Sequence, residues 1–186
     1  VIKVIPSQIG GSTVSGITLD AFANASILGQ SINPWGIDPD ILAINLYFGN
    51  PLDDDIYSNG LASTITETQI IELLNNTYMP QSLSNLNNDR NLVNQFNSLH
   101  NWNLTYGTYE GGQHLQNDGN ATVNTTSNSA LFNSISTKFS NVNRDPRMYD
   151  LYIKLMNAWF NVTNGTFVHF NYMEPFVGIN AFGAIE

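Results

Sequence analysis

The stretch "DILAINLYFGN", residues 40–50, decides the class of fold, because it is apolar along almost its whole length. A strand with one face in water alternates apolar and polar residues, whereas a strand covered on both faces does not. The run closes at Gly49 and Pro51, which are typical terminators of a strand. We therefore predict a buried strand here, of the kind found in parallel sheets.

Similar apolar runs recur on both sides of this strand, and predicted helices lie between them. The further predicted strands are residues 1–7, 104–110 and 165–175. Apolar residues with helical spacing predict helices over 18–29, 66–76, 86–102 and 145–162. Strands that alternate with helices indicate an α/β fold with a parallel sheet. No linker-like segment interrupts residues 1–186, so we predict one domain.

Two of the predicted helices carry specific local signals. Thr66 and Gln69 have the spacing of a capping box at the start of the helix over 66–76. The aspartate-rich stretch 53–60 is interpreted as a solvated loop rather than a calcium site. Two apolar stripes are predicted to face the core: Met148, Leu151, Leu155 and Trp159 in one helix, and Leu92, Phe96 and Leu99 in another.

Charge and composition exclude several classes of function. Only 11% of residues are charged, and six basic against fifteen acidic side chains give a net charge of -9. Such a surface repels phosphate backbones, so we predict no nucleic-acid partner. The chain contains no cysteine, which excludes disulfides and thiolate metal sites, and we predict neither a metal nor a cofactor. No apolar run is long enough to span a membrane.

Asparagine followed at the second position by serine or threonine is frequent, which favours an extracellular or cell-surface glycoprotein. The chain opens directly into a strand-like run, so we expect a mature product or a piece of a longer polypeptide. The predicted glycosylation sites are Asn24, Asn75, Asn103, Asn120, Asn124, Asn161 and Asn164.

Polar side chains stand at the ends of three predicted strands, namely Tyr47, Glu110 and Asn171. In α/β folds, ligands bind beyond the carboxyl ends of the strands, and in barrels the active site is assembled there. Two glycines follow Glu110 directly, and His114 comes four residues after it. The sequence therefore predicts a ligand site at this edge, with Glu110 as its carboxylate.

Four motifs spread along the chain carry a family resemblance: YEGGQHL from residue 109, DPRM from 145, FVHFN from 167 and FGAIE from 182. Together they resemble the C-terminal half of a (β/α)8-barrel, glycoside-hydrolase-like family of secreted carbohydrate-active proteins. The runs at residues 1–8 and 40–49 resemble the fifth and sixth strands of that family. The resemblance implies a TIM barrel of which this chain supplies strands five to eight, with the remainder coming from the same or another chain.

The resemblance also implies a function, the hydrolysis of a β-linked polysaccharide by a retaining mechanism with Glu110 as nucleophile. That mechanism needs a second carboxyl group about 5–5.5 Å from the first, and the family's acid/base is expected upstream of Val1. Gly111 and Gly112 are expected to leave room for a sugar ring. The predicted substrate-binding residues are Tyr47, His114, His169, Asn171 and Trp35.

Other interpretations stay open at this level. The alternative is a non-catalytic structural or carbohydrate-binding glycoprotein of a filament, envelope or virion that keeps the barrel without the chemistry. Tyr47 is also compatible with a core tyrosine whose hydroxyl reaches solvent, and His169 with a core histidine. A nucleotide-binding function is excluded on motif grounds, because no glycine-rich phosphate loop with its lysine follows any predicted strand.

Overall fold

The computed structural model describes residues 1–8, 12–118 and 129–170. A π-helical segment at Leu74–Tyr78 joins the helix Glu67–Leu73 to the helix Met79–His100 without a break. In chain order the elements are β1 (Val4–Pro6), α1 (Ser12–Asn24), β2 (Ser26–Ile27), β3 (Gln30–Ser31), β4 (Ile41–Phe48), α2 (Leu52–Ser58), α3 (Glu67–Leu73), α4 (Met79–His100), β5 (Thr105–Gln113), α5 (Ser129–Asn143) and α6 (Pro146–Val162).

The main sheet has three parallel strands in the order β1-β4-β5, which confirms the predicted α/β class. β1 pairs with β4 from Val4 opposite Ile41 to Pro6 opposite Ala43. β2 and β3 form a separate antiparallel hairpin. No closed barrel is evident over the part of the chain that the structure describes, where the main sheet has three parallel strands.

β5 contains one more residue than the stretch of β4 beside it. The backbone N–H of Thr105 donates to the carbonyl of Asp40, and that of His114 donates to the carbonyl of Phe48, both at 2.8 Å. Between these two bonds β5 advances nine residues while β4 advances eight. One residue of β5 is therefore extra, which defines a β-bulge. Gly112, with φ at 137°, lies in this part of the strand.

The prediction of a buried strand at β4 is confirmed. Its alternate side chains Leu42, Ile44, Leu46 and Phe48 have no exposed surface. Of the residues between them, Ala43 is also buried, whereas Asn45 and Tyr47 are half-buried. β4 is thus the most deeply buried element of the sheet, as its uninterrupted apolar sequence predicts.

The local helix signals are confirmed. The backbone N–H of Gln69 donates to the Thr66 hydroxyl at 3.3 Å, and the Thr66 N–H donates to the Gln69 side chain at 2.9 Å. The apolar stripe predicted in α6 is buried at all four positions, from Met148 to Trp159. The stripe predicted in α4 is wrong in part, because Leu99 is 67% exposed.

Several predicted boundaries are wrong. α1 begins at residue 12 instead of 18, and residues 26–31 form the β2–β3 hairpin instead of its last turn. The aspartate-rich stretch forms α2, because Leu52, Ile56 and Tyr57 can be buried together on one side of a helical turn. Residues 165–170 form no strand, and the rest of that predicted strand lies outside the described residues.

The chain divides into two compact units. The first unit comprises residues 1–46, 82–111 and 157–168, and the second comprises residues 47–81, 112–156 and 169–186. Among the described residues, no helix combines the length and the apolarity that a membrane crossing requires. The core of the first unit includes Leu19, Leu42, Ile44, Leu86 and Trp159, and that of the second includes Phe48, Ile56, Ile70, Leu74 and Phe139.

Candidate functional site

Two of the predicted substrate-binding residues, Tyr47 and His114, lie in contact in the second unit. Their rings meet edge to face, with centroids 5.2 Å apart and planes at 79°. Tyr47 lies one residue before the end of β4, and His114 follows the last residue of β5. Both side chains are half-buried. The Phe170 ring packs against Tyr47 with a similar perpendicular geometry at 6.3 Å.

His169 lies in the second unit against a tyrosine that the sequence analysis did not select. Its ring is 5.3 Å from the ring of Tyr152, which α6 supplies. Burial lowers the pKa of His169, against a smaller opposing effect of the Phe170 backbone, so the neutral imidazole is favoured at pH 7. Burial also raises the pKa of the Tyr152 hydroxyl, which stays protonated. His169 and Tyr152 therefore form a neutral pair.

The position of Tyr152 in α6, four residues after Met148, is the sequence signal that identifies it. It follows Met148 by one turn of α6, so its half-buried ring borders the buried stripe while its hydroxyl needs a polar partner. The backbone N–H of Gln113 supplies that partner at 3.2 Å. The bond ties the end of β5 to α6 within the second unit. It holds the strand end from which His114 projects.

Gly111 and Gly112 are required by close packing, and the expectation that they leave room for a sugar ring is wrong. A Cβ atom on Gly111 would lie 2.5 Å from the carbonyl oxygen of Leu46 and 2.9 Å from the ring of Phe167. A Cβ atom on Gly112 would lie 3.0 Å from the His169 ring, and its φ of 137° disfavours any other residue. Protein atoms fill the space beside both glycines.

Glu110 does not end its strand, because β5 continues to Gln113. The prediction of a strand terminus at this carboxylate is therefore wrong. Strand alternation puts Glu110 on the face of β5 that also carries the buried Tyr106 and Thr108, while the neighbouring Tyr109 is 43% exposed. Glu110 itself is half-buried. Its carboxylate belongs to the first unit, where the described residues include no cluster of metal ligands.

Trp35 is 83% exposed, and it lies in the segment that leads into the start of β4. Asn33 fixes this segment, because its side chain donates to the Ile37 carbonyl at 2.9 Å and accepts from the Ile37 N–H at 2.8 Å. The indole is therefore displayed on an ordered turn in the first unit. Asn171 lies outside the described residues.

The predicted glycosylation sites differ in accessibility. Asn24, Asn103, Asn161 and Asn164 are exposed, whereas Asn75 is half-buried and accepts a 3.0 Å hydrogen bond from the Lys154 ammonium. Asn120 and Asn124 lie outside the described residues.

The sequence therefore predicted two residues, Tyr47 and His114, that the structure brings into contact. Perpendicular aromatic rings with polar edges are suited to a ligand that has both apolar C–H faces and hydroxyl groups. Compared with models of known protein families, with curated proteins and with solved structures, the chain matches none.

Proposed function

We propose that the chain binds a β-linked glycan through Tyr47 and His114, as part of a glycoside-hydrolase-like (β/α)8 protein outside the cell or at its surface. The observation that carries the proposal is the edge-to-face contact of these rings, 5.2 Å apart, where two neighbouring parallel strands end. Ligands of α/β proteins bind at such ends. A pyranose ring can pack its C–H face on one ring while its hydroxyls bond the phenol and the imidazole.

The arrangement of the strands supports the barrel part of this proposal. β1, β4 and β5 are neighbours in the sheet in the order in which they follow one another in the chain. Beside β5, the backbone N–H of Thr108 donates to the Thr166 carbonyl at 3.0 Å, so the next segment of the chain runs along its free edge. Consecutive parallel strands joined by helices are the repeating unit of a (β/α)8 barrel.

A second candidate function is hydrolysis with Glu110 as nucleophile. It is favoured by one observation, a half-buried carboxylate three residues before the end of a parallel strand. A retaining mechanism also needs an acid/base carboxyl group about 5–5.5 Å away, which we expect from sequence upstream of Val1.

Binding is tested by retention of the protein on insoluble β-glucan and xylan. Tyr47→Ala and His114→Ala are each expected to weaken retention at least about tenfold, because each removes a stacking or hydrogen-bonding group. Tyr47→Phe keeps the ring and is expected to lose less than Tyr47→Ala. Tyr149→Ala is the matched control, since Tyr149 is a 68% exposed tyrosine elsewhere in the second unit. Equal retention of Tyr47→Ala and the control would refute the proposed binding site.

Hydrolysis is tested separately by release of reducing sugar from the same polysaccharides. Glu110→Gln is expected to abolish the release and to leave retention unchanged, since the substitution removes the charge but not the shape. Release by Glu110→Gln at the rate of the unsubstituted protein, or absence of release from both, would remove the catalytic candidate and leave the binding proposal intact.

A further inference from the structure

A cavity of about 410 Å³ lies in the first unit at the start of β5, between α4 and the end of α6. Its volume is in the range of small-molecule sites. Val93, Leu104 and Val162 make part of its surface apolar, and the ring of Tyr106 extends that surface. The polar part of the lining is Arg90, Asn94, Thr105, Thr163 and Asn164.

One wall of the cavity is rigid. The indole N–H of Trp159 donates to the Gly165 carbonyl at 3.0 Å, and the Gly165 N–H donates to the Thr163 hydroxyl at the same distance. That hydroxyl donates in turn to the Tyr106 carbonyl at 3.2 Å. A Cβ atom on Gly165 would lie only 1.5 Å from the Tyr106 carbonyl oxygen, so only glycine fits. The cavity is therefore formed before any ligand arrives.

Arg90 gives the cavity its charge. Its side chain is exposed, and among the described residues it makes no ion pair or hydrogen bond. Two other basic side chains of this acidic protein have carboxylate partners: Lys3 pairs with Asp40 at 3.3 Å, and Arg147 pairs with its near neighbour Asp145. A guanidinium that lines a cavity and has no counter-ion among the described residues is available to an external carboxylate, which it can bind in a bidentate manner.

The surroundings of Arg90 select the rest of the ligand. Asn94 follows Arg90 by one helical turn, so the amide and the guanidinium project side by side from α4. The end of α6 lines the same cavity at Val162. Carbonyl groups in the last turn of a helix have no donor within the helix; that of Trp159 accepts from the Thr163 N–H, and those after it can accept from hydroxyl groups. The apolar surface suits the C–H face of a sugar ring. The ligand that combines a carboxylate, hydroxyls and an apolar face is a sugar acid.

We propose that this cavity binds a uronic acid residue, with its carboxylate on Arg90 and its hydroxyls on Asn94 and the end of α6. The site is formed by the first unit alone and does not depend on the glycan site proposed at Tyr47 and His114. Because Asn164 belongs to a predicted glycosylation site and lines the cavity, the test uses protein made without N-glycosylation.

The experiment is calorimetric titration of the whole chain with glucuronate, glucose and acetate. Glucuronate is expected to bind at least about tenfold more tightly than either, because only it offers both the carboxylate and the hydroxyls. Arg90→Gln is expected to lose at least about tenfold in affinity for glucuronate. Lys138→Gln in the second unit, which changes the net charge equally, is expected to bind as the unsubstituted protein does.

Three results would overturn the proposal: no binding of glucuronate by the folded chain, equal binding by Arg90→Gln and the unsubstituted protein, or equal binding of acetate and glucuronate. Arg90 is exposed, so loss of fold is not expected in Arg90→Gln, and a circular dichroism spectrum verifies this. Asn94→Ala is a second variant, expected to weaken glucuronate more than acetate.

Discussion

Two buried polar side chains, one in each unit, differ in how far their hydrogen bonds are satisfied. In the second unit, Asn117 has no exposed surface and is fully hydrogen-bonded. Its carbonyl accepts from the Tyr57 hydroxyl at 2.8 Å, and its amide donates to the Phe132 carbonyl at 2.9 Å and to Ser136 at 2.8 Å. In the first unit, Asp89 has no exposed surface either, yet neither of its oxygens has a hydrogen-bond partner among the described residues.

Polar groups lie near Asp89, but none of those described completes a hydrogen bond to its carboxyl oxygens. Burial raises the pKa of Asp89, and the nearby hydroxyls of Tyr106 and Ser15 oppose the rise, although neither reaches hydrogen-bonding geometry with its oxygens. Burial and the charge of Asp89 together raise the pKa of Tyr106. The Ser15 hydroxyl is instead 3.0 Å from that of Ser7. A buried Asn with all its bonds stabilises the fold, whereas a buried acid without them lowers its stability.

The largest expected effect on stability comes from removing the hydrogen-bonded side chain of Asn117. Asn117→Ala should lower the free energy of unfolding by about 3 kcal/mol, because three bonds are lost and the buried Tyr57 hydroxyl is left without a partner. Urea unfolding at pH 7 measures it. Asn141→Ala is the control, since Asn141 is exposed and donates only to Glu67 at 3.2 Å. A loss no larger than the control's would contradict the comparison.

The same substitution made in both units sharpens the contrast. Tyr57→Phe should cost about 1.5 kcal/mol, because it leaves the buried carbonyl of Asn117 unpaired. Tyr106→Phe should cost less than about 0.5 kcal/mol at acid pH, because its hydroxyl makes no hydrogen bond among the described residues. Equilibrium unfolding of both variants at pH 4.5 compares them directly. Equal losses would show that hydrogen-bond saturation does not separate the two tyrosines.

The smallest effect is a gain of stability that depends on pH. The folded chain keeps the proton of Asp89 to higher pH than the unfolded chain, whose carboxyl has a pKa near 3.8. The pH-dependent contribution of Asp89 to stability is therefore fully present below that pH and is lost as the pH rises through the higher folded-state pKa. Asp89→Asn should raise the free energy of unfolding by about 1 kcal/mol at pH 7 and should give no such increase near pH 3.5.

Urea unfolding at both pH values measures the gain, and the exposed Asp150→Asn gives the same change of charge as a control. A gain of equal size at both pH values would mean that the titration of Asp89 is not its cause.

The features that the sequence predicts well depend on neighbours within one helical turn. The capping box of Thr66 and Gln69 and the α6 stripe from Met148 to Trp159 are of this kind, and both are confirmed. The buried strand β4 is also predicted, since its apolar character requires no knowledge of its neighbours.

The features that the sequence misses depend on distant partners. The buried face of α4 carries Leu86, Asp89, Val93 and Phe96, whose helical spacing places an acid on an apolar stripe. The spacing does not show which groups from other elements surround that acid. Asn117 gives no local signal, because Tyr57 lies sixty residues away. For the proposed glycan site, the predicted residues Tyr47 and His114 are in contact, but the predicted strand end at Glu110 is wrong, because β5 continues to Gln113.

The bulge in β5 also governs which way the chain faces beyond it. Side chains of a strand alternate, so one inserted residue exchanges the two sides for everything that follows. By this odd–even rule His114 reaches the side of β4 on which Tyr47 lies, whereas an uninterrupted strand would have turned the imidazole away. The contact between the Tyr47 and His114 rings therefore depends on the number of residues between Glu110 and His114 as well as on their identity. Deletion of a single glycine would turn the imidazole to the other side of the sheet and separate the two rings.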